Sequence, residues 1–282
     1  MVRQAHYERI NIEPVMDNTQ RFSGRVSNYV KYRPSYPNVY LDYLESEIGF
    51  NRDSAVADIG AGTGILSKLL APRVKTVFAV EPNAEMRLAA AEYCKDAPNV
   101  VVTDGSAEAT TLPDSSVDFI TAAQAFHWFK LEEARREFGR ILKPGGRVAL
   151  VWNVRDITKP FGSEYEQLIK QACLKYIGSG GGSAETLAYR MLFKDGEYAF
   201  RIFPNDRRID LETLIGYSLS TSYAPNRGDE NYPGFIKNLM EIYGRFAENG
   251  GVLLSTTTQS YVGEVELASP AGTVPERLFP SF

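Results

Sequence analysis

Three glycines spaced two apart behind an acidic residue, Asp58-Ile59-Gly60-Ala61-Gly62-Thr63-Gly64, are the residues of this 282-residue sequence best suited to hold a ligand. Glycine lets a backbone turn tightly and approach a bound molecule where a Cβ would intrude. The amides exposed where the next helix begins suit a polar or anionic group. Glu81 ends the apolar run Thr76-Val77-Phe78-Ala79-Val80, and a carboxylate at such a strand end can accept both hydroxyls of a ribose. A lone strand-end acid can equally be a solvated side chain; the joint spacing with Asp58 and the glycines favours the ligand role. The third group is Ala122-Ala123-Gln124-Ala125-Phe126-His127-Trp128-Phe129. Gln124 opens that loop, where it could touch a cofactor or the molecule that reacts with it. His127, one of two histidines, titrates in a range suited to proton removal. A histidine bracketed by Phe126 and Trp128 serves as well in local packing, and Trp128 reads as core or as a wall beside a cation.

These side chains act together only if one scaffold brings their turns to a common edge. Ala55-Val56-Ala57 reads as a strand and Ile65 to Leu70 as a helix. Thr76 to Val80, Val100 to Val102 and Val117 to Ile120 read as further strands, separated by a helix over Glu85 to Tyr93. A helix from Glu132 to Leu142 stops at Lys143-Pro144-Gly145-Gly146, which feeds a fifth strand, Arg147 to Trp152. Such alternation predicts an open α/β sheet that binds ligands beyond the carboxyl ends of its strands. Beyond it, Tyr198 to Phe203 suggests a sixth strand, Asp210 to Leu219 a helix with Asp210 as N-cap, Phe235 to Ala247 another helix, and Val252 to Val265 the last strand. Residues 1–20 read as a disordered extension and 266–282 as a tail. The glycine cluster Ser179 to Ser183 reads as a flexible loop without phosphate-binding spacing. A dinucleotide turn, G-x-G-x-x-G, would need glycine at position 65, where Ile65 stands.

Asp58 through Gly64, Glu81, the Asp104-Gly105-Ser106-Ala107-Glu108 segment and the Leu142-Lys143-Pro144-Gly145-Gly146 turn, taken in order, resemble the motifs of class I S-adenosylmethionine-dependent methyltransferases. The form Ala125-Phe126-His127-Trp128-Phe129 and the pattern Tyr29-x-x-Tyr32-Arg33-Pro34 narrow the likeness to a small-molecule group, methyltransferase type 11 or trans-aconitate methyltransferase-like. The resemblance covers about residues 22–265. It implies a Rossmann-like, seven-stranded, mostly parallel sheet with an antiparallel last strand, helices on both faces and an inserted cap. It implies one domain over 21–265, with an N-terminal lid at 21–50 and the cap at 153–197. It implies S-adenosyl-L-methionine as cofactor. The glycine turn, Gly60, Ala61 and Gly62, would pack against its methionine half, Asp58 would orient its ammonium, and Glu81 would take its ribose. Ser106 and Ala107 fall in the adenine segment, where relatives often carry an acid at the position of Ser106. Tyr29 and Arg33 would close over the methionine end, and Gln124 and His127 would stand at the reaction centre. Cap aromatics such as Tyr165, Tyr189 and Phe193 are candidates for the acceptor pocket or for packing.

The implied reaction is methyl transfer to a small-molecule acceptor. A carboxylate acceptor is already anionic and needs no base, so the lack of an obvious acid-base pair leans toward O-methylation of a small acid. Alternatives are a C-methyltransferase or cyclopropane-forming enzyme on a lipid, and a cofactor-binding module without catalysis. At 44% hydrophobic residues the chain can bury a sizeable core. A net charge of -4 gives no bulk attraction to a polyanion, so nucleic acid is not an expected partner. Cys94 and Cys173 lack C-x-x-C or metal-ligand spacing, no metal site is read, and no apolar run reaches about 18 residues. Buried reduced thiols, no membrane insertion and a cytoplasmic location are the expectations; no feature of the sequence sets an oligomeric state.

Overall fold

Short apolar runs bounded by turns become the strands of one sheet, and the longer periodic segments between them become its helices. The structure, a computed structural model, describes residues 26–173, 176 and 183–265. The extension at 1–20, residues 179–182 of the glycine cluster and the tail at 266–282 lie outside the described residues. In chain order the elements are α1 (Val26–Tyr32), α2 (Asn38–Tyr43), β1 (Ala55–Ile59), α3 (Ile65–Leu70), β2 (Thr76–Val80), α4 (Ala84–Tyr93), β3 (Val100–Thr103), β4 (Val117–Ala123), α5 (Leu131–Ile141) and β5 (Leu142–Arg155). There follow α6 (Pro160–Ala172), α7 (Ser183–Leu192), β6 (Ala199–Pro204), β7 (Arg207–Ile209), α8 (Leu211–Leu219), α9 (Tyr232–Phe246), β8 (Val252–Leu254) and β9 (Thr256–Gly263).

Seven strands form one sheet in the order β3-β2-β1-β4-β5-β9-β6. β9 runs antiparallel to β5 and β6, and the pairs from β3 to β5 are parallel, which is the architecture expected. β5 starts earlier than expected because Leu142 already pairs with Val117, with a register shift before Phe119. Alternation along β5 sorts the cores: Val148 and Leu150 face α5 and α7, whereas Ala149 and Val151 face α2 and α3. Both faces are therefore covered, as a parallel sheet requires.

A third core joins α6, α8, α9 and the β7–β8 ribbon over the carboxyl end of the sheet, around Tyr165, Ile169, Leu214, Phe235 and Leu239. The cap thus draws on chain after β6 as well as on α6. α7 instead packs on the sheet through Tyr189 and Leu192. Tyr165, Tyr189 and Phe193 are all buried in these cores, which agrees with packing, the second of the two roles open to them. Two N-caps fix helix starts near the ligand edge: Asn83 Oδ1 accepts from the Met86 N–H (2.9 Å), and Asp210 Oδ1 from the Thr213 N–H (2.8 Å).

Helix α1, within the stretch expected to be a lid, docks on α8. Lys31 and the Tyr32 hydroxyl both donate to Glu212 Oε1 (2.6 and 2.7 Å). The Tyr32 ring lies over Gly216 so closely that a Cβ there would stand 2.1 Å from it. Among the described residues no helix is long and apolar enough to cross a membrane.

Candidate functional site

Register brings the dispersed motifs together. Ile59 pairs with Val80, and the Gly60 and Ala61 N–H groups both donate to the Val80 carbonyl (2.9 and 3.1 Å), so the glycine turn and Glu81 leave adjacent strands at one level. Gly60 has φ +68°, and a Cβ on it would lie 2.6 Å from the Ala125 Cβ of the loop after β4. Only glycine fits there without displacing that loop. Glu81, 8% exposed, accepts from the Gly62 N–H at Oε2 (2.8 Å) and from the Asn83 N–H at Oε1 (2.9 Å). An ionised carboxylate has lone pairs beyond these two, so further hydroxyl donors can still be received. Burial raises the Glu81 carboxyl above its ordinary value, against the pull of those two amides.

Two cavities sit on this edge. One of about 140 Å³ is lined by Gly60, Gly62, Glu81, Ser106, Ala107 and Gln124, closed by Pro82, Met86, Ala125, Trp128 and Phe129. Its apolar walls suit a flat ring and its carboxylate a sugar. The other, about 30 Å³, is lined by Gly60, Ala61, Arg33, Tyr36, Gln124 and Asn153. Tyr29 and Gln124 belong to both, so they stand at the junction. Gln124 has φ +58°, uncommon for a residue with a side chain, and its Nε2 donates to the Asn153 carbonyl (3.2 Å). Strain of this kind at a cavity junction is consistent with a functional position. The Arg33 guanidinium stacks over the Tyr29 ring at 4.7 Å and donates from Nη2 to the Ser220 carbonyl (3.2 Å), tying lid to cap.

Asp58 occupies a different place. It is 1% exposed, lines neither cavity, and accepts from the Ser67 hydroxyl at Oδ2 (2.6 Å) and the Thr121 hydroxyl at Oδ1 (2.9 Å). It stands behind the glycine turn, joining α3 to β4. Burial pushes its carboxyl up to about 6, although both hydroxyls pull the other way. Ser106 Oγ accepts from the Glu108 N–H (3.2 Å), and Glu137 holds the next stretch by accepting from the Thr110 N–H (2.7 Å).

The structure brings Tyr29, Arg33, Gly60, Ala61, Gly62, Glu81, Ser106, Ala107 and Gln124 around these two cavities. It does not bring His127 there. The His127 ring is exposed, 4.3 Å from Trp128 and 5.2 Å from Trp152, and lines neither cavity. Met86, Phe129 and Asn153 line the cavities without having been read as site residues. Asn153 could have been found by following β5 to its carboxyl end, and Met86 by its place in the first turn of the helix after Glu81. Among the described residues no group of His, Cys, Asp and Glu is placed to hold a metal. Cys94 and Cys173 are buried free thiols.

Residues 57–150 match the family model described as a methyltransferase domain. The chain is 38% identical over 151 residues to an uncharacterized methyltransferase of Schizosaccharomyces pombe, which covers 53% of this chain and 59% of that one. It is 42% identical over 141 residues to an uncharacterized methyltransferase of Mycobacterium bovis, covering 50% of this chain and 55% of that one. The chain thus spans a little over half the length of these relatives. The YcgJ protein of Bacillus subtilis shares the fold, with a TM-score of 0.53 at 20% identity over 82% of this chain and all of that one.

Proposed function

We propose that this chain, which carries a class I S-adenosylmethionine-dependent methyltransferase domain, binds S-adenosylmethionine at the paired cavities and transfers its methyl to a carboxylate oxygen of a small molecule. The observation that carries the reading is the junction at Gln124. There a cavity with a ribose-competent carboxylate and a flat apolar slot meets a smaller polar one beside an arginine.

The residues fit the cofactor. Gly60 lets the turn pack against Ala125 at the cavity edge where a Cβ would clash, Glu81 offers its carboxylate, and Met86, Ala107 and Phe129 make the slot for a base. When bound, the cofactor supplies an intrinsically electrophilic sulfonium methyl. The chain's part is then positional. Gln124 and Asn153 border the place where an acceptor would lie, Tyr29 and Arg33 cover it and exclude water, and Asp58 holds the glycine turn from behind through Ser67 and Thr121. A carboxylate acceptor asks no proton of any of them, which agrees with the place of His127 outside the cavities. A lipid chain would need a wide apolar tunnel, whereas the smaller cavity holds about 30 Å³ and is bordered by Arg33, Gln124 and Asn153.

Titration calorimetry with S-adenosylhomocysteine, and turnover with panels of carboxylic acids, phenols and amines, test the proposal. Binding in the micromolar range with turnover of acids is the expected result. No binding, or tighter binding of NAD, refutes the cofactor assignment. Binding without turnover of any acceptor would make the chain a binding module.

A further inference from the structure

β6 ends the seven-stranded sheet, so half of its backbone groups face away from any strand. The ladder with β9 says which half. The Asn205 N–H donates to the Thr256 carbonyl (2.9 Å), one step past the pairing of Pro204 with Thr257, so the odd-numbered residues of β6 bond to β9 and the even-numbered ones turn outward. Phe200, Ile202 and Pro204 are the outward residues. Among the described residues their outer backbone groups meet one partner, the Arg201 Nη1, which donates to the Phe200 carbonyl (3.1 Å).

The side chains leave this edge open as well. Phe200 is 40% exposed and Ile202 53%, both on the sheet face that carries Tyr261. Edge strands are ordinarily blunted by a charge at their middle or by a covering element, and the middle of this edge is an isoleucine. On the opposite face Arg201 pairs with Glu47 (3.6 Å), and Phe203 packs on Tyr40 and Tyr43. None of residues 199–204 lines either cavity.

We infer that β6 is the contact surface for a second copy of this chain, paired antiparallel about a twofold axis at Ile202, so that two seven-stranded sheets become one continuous sheet. The register follows from the donors and acceptors. With the axis at Ile202, the two Ile202 residues exchange both backbone hydrogen bonds, and each Phe200 N–H reaches the Pro204 carbonyl of the second copy. Proline has no N–H to return to the Phe200 carbonyl, and that carbonyl is the one Arg201 serves within its own chain. Each outward donor and acceptor of Phe200, Ile202 and Pro204 is therefore met by the same strand read backwards. An unrelated strand with an N–H opposite Phe200 would have to displace Arg201. The charges agree. An axis at Arg201 would set two guanidiniums directly opposite, whereas an axis at Ile202 sets each Arg201 across from a Phe203 ring and leaves it on its own Glu47.

Sedimentation velocity of the full chain from about 1 to 300 μM tests the pairing. Two strands of six residues bury less than a standard interface, so a reversible dimer with a Kd of about 1–100 μM is expected. Ile202→Lys should weaken the dimer at least about 30-fold, because it brings two ammonium groups together on the axis, and should leave S-adenosylhomocysteine affinity within about twofold. Leu88→Lys, an exposed change on α4 at the other end of the sheet, should leave the dimer intact. Ile202→Cys should cross-link to itself on mild oxidation and Phe200→Cys should not, since Cys94 and Cys173 are buried and Phe200 faces Pro204. The Phe200 and Ile202 amides should exchange hydrogen more slowly as concentration rises. A chain that stays monomeric over this range, a dimer that Ile202→Lys leaves intact, or cross-linking by Phe200→Cys in place of Ile202→Cys would each overturn the inference. Slow exchange of both amides in the monomer would assign the edge to another segment of the same chain and overturn it too.

Discussion

Asp58→Asn isolates the electrostatic cost of the buried acid behind the glycine turn. The Asp58 carboxyl is raised by burial from 3.8 to about 6, with Ser67 and Thr121 each donating a hydroxyl to it. A folded-state value above the unfolded one means that the folded chain holds the proton more tightly. Stability is therefore greatest below about pH 4 with respect to this group, and falls as pH rises to about 6. A rise of about two pH units corresponds to about 3 kcal/mol lost by neutral pH. Asparagine keeps the shape and one acceptor oxygen, and either hydroxyl can rotate to accept from the new amide. The variant should therefore gain on the wild type as pH rises, by up to about 3 kcal/mol between pH 4 and pH 7. Urea denaturation of both proteins at half-unit steps from pH 4 to 8 reads the difference directly. Parallel stability profiles across that range would refute the argument, since they would mean that Asp58 titrates at its ordinary value in the folded protein.

Other substitutions probe the binding edge. Glu81→Gln should weaken S-adenosylhomocysteine binding about 10- to 100-fold by calorimetry, as a charge-assisted acceptor becomes a neutral amide. Its urea midpoint should not rise, because the amide nitrogen cannot accept and leaves the Gly62 or the Asn83 N–H facing a donor, which offsets the relief of the buried charge. Gly216→Ala sets a Cβ 2.1 Å from the Tyr32 ring and should cost about 1–3 kcal/mol or displace the lid. Weaker S-adenosylhomocysteine binding with normal far-ultraviolet dichroism would mark displacement of α1. His127→Ala should leave kcat within about twofold, because the exposed ring lines neither cavity. A fall of about 100-fold with a lost acidic limb in the pH profile would instead make His127 the general base.

The parallel half of the fold was legible because its signals are local. Each strand from β1 to β4 is a short apolar run closed by turn residues, and the register that pairs Ile59 with Val80 follows once those runs are laid in parallel. Glu81 and the glycine turn could be matched to a ligand for the same reason. The second half was less legible. The ribbon of β7 and β8 joins segments more than 40 residues apart, each only three residues long, and neither has a periodicity of its own. α6 and α7 both fall in the stretch expected to be the cap, but only contacts assign one to the cap and the other to the sheet.

Residue types and spacing by themselves determined the sheet, the glycine turn and the carboxylate beside it, since hydrophobic alternation and backbone permissiveness act over a few residues. Tertiary structure alone decided three things: that Asp58 is spent on two hydroxyls, that His127 lies outside the cavities, and that Arg155 reaches Glu166 and Tyr217 beneath the cap. Arg155 and Tyr217 are 62 positions apart in the sequence. Their meeting depends on how sheet and cap pack, and electrostatic fields act through space without regard to order along the chain.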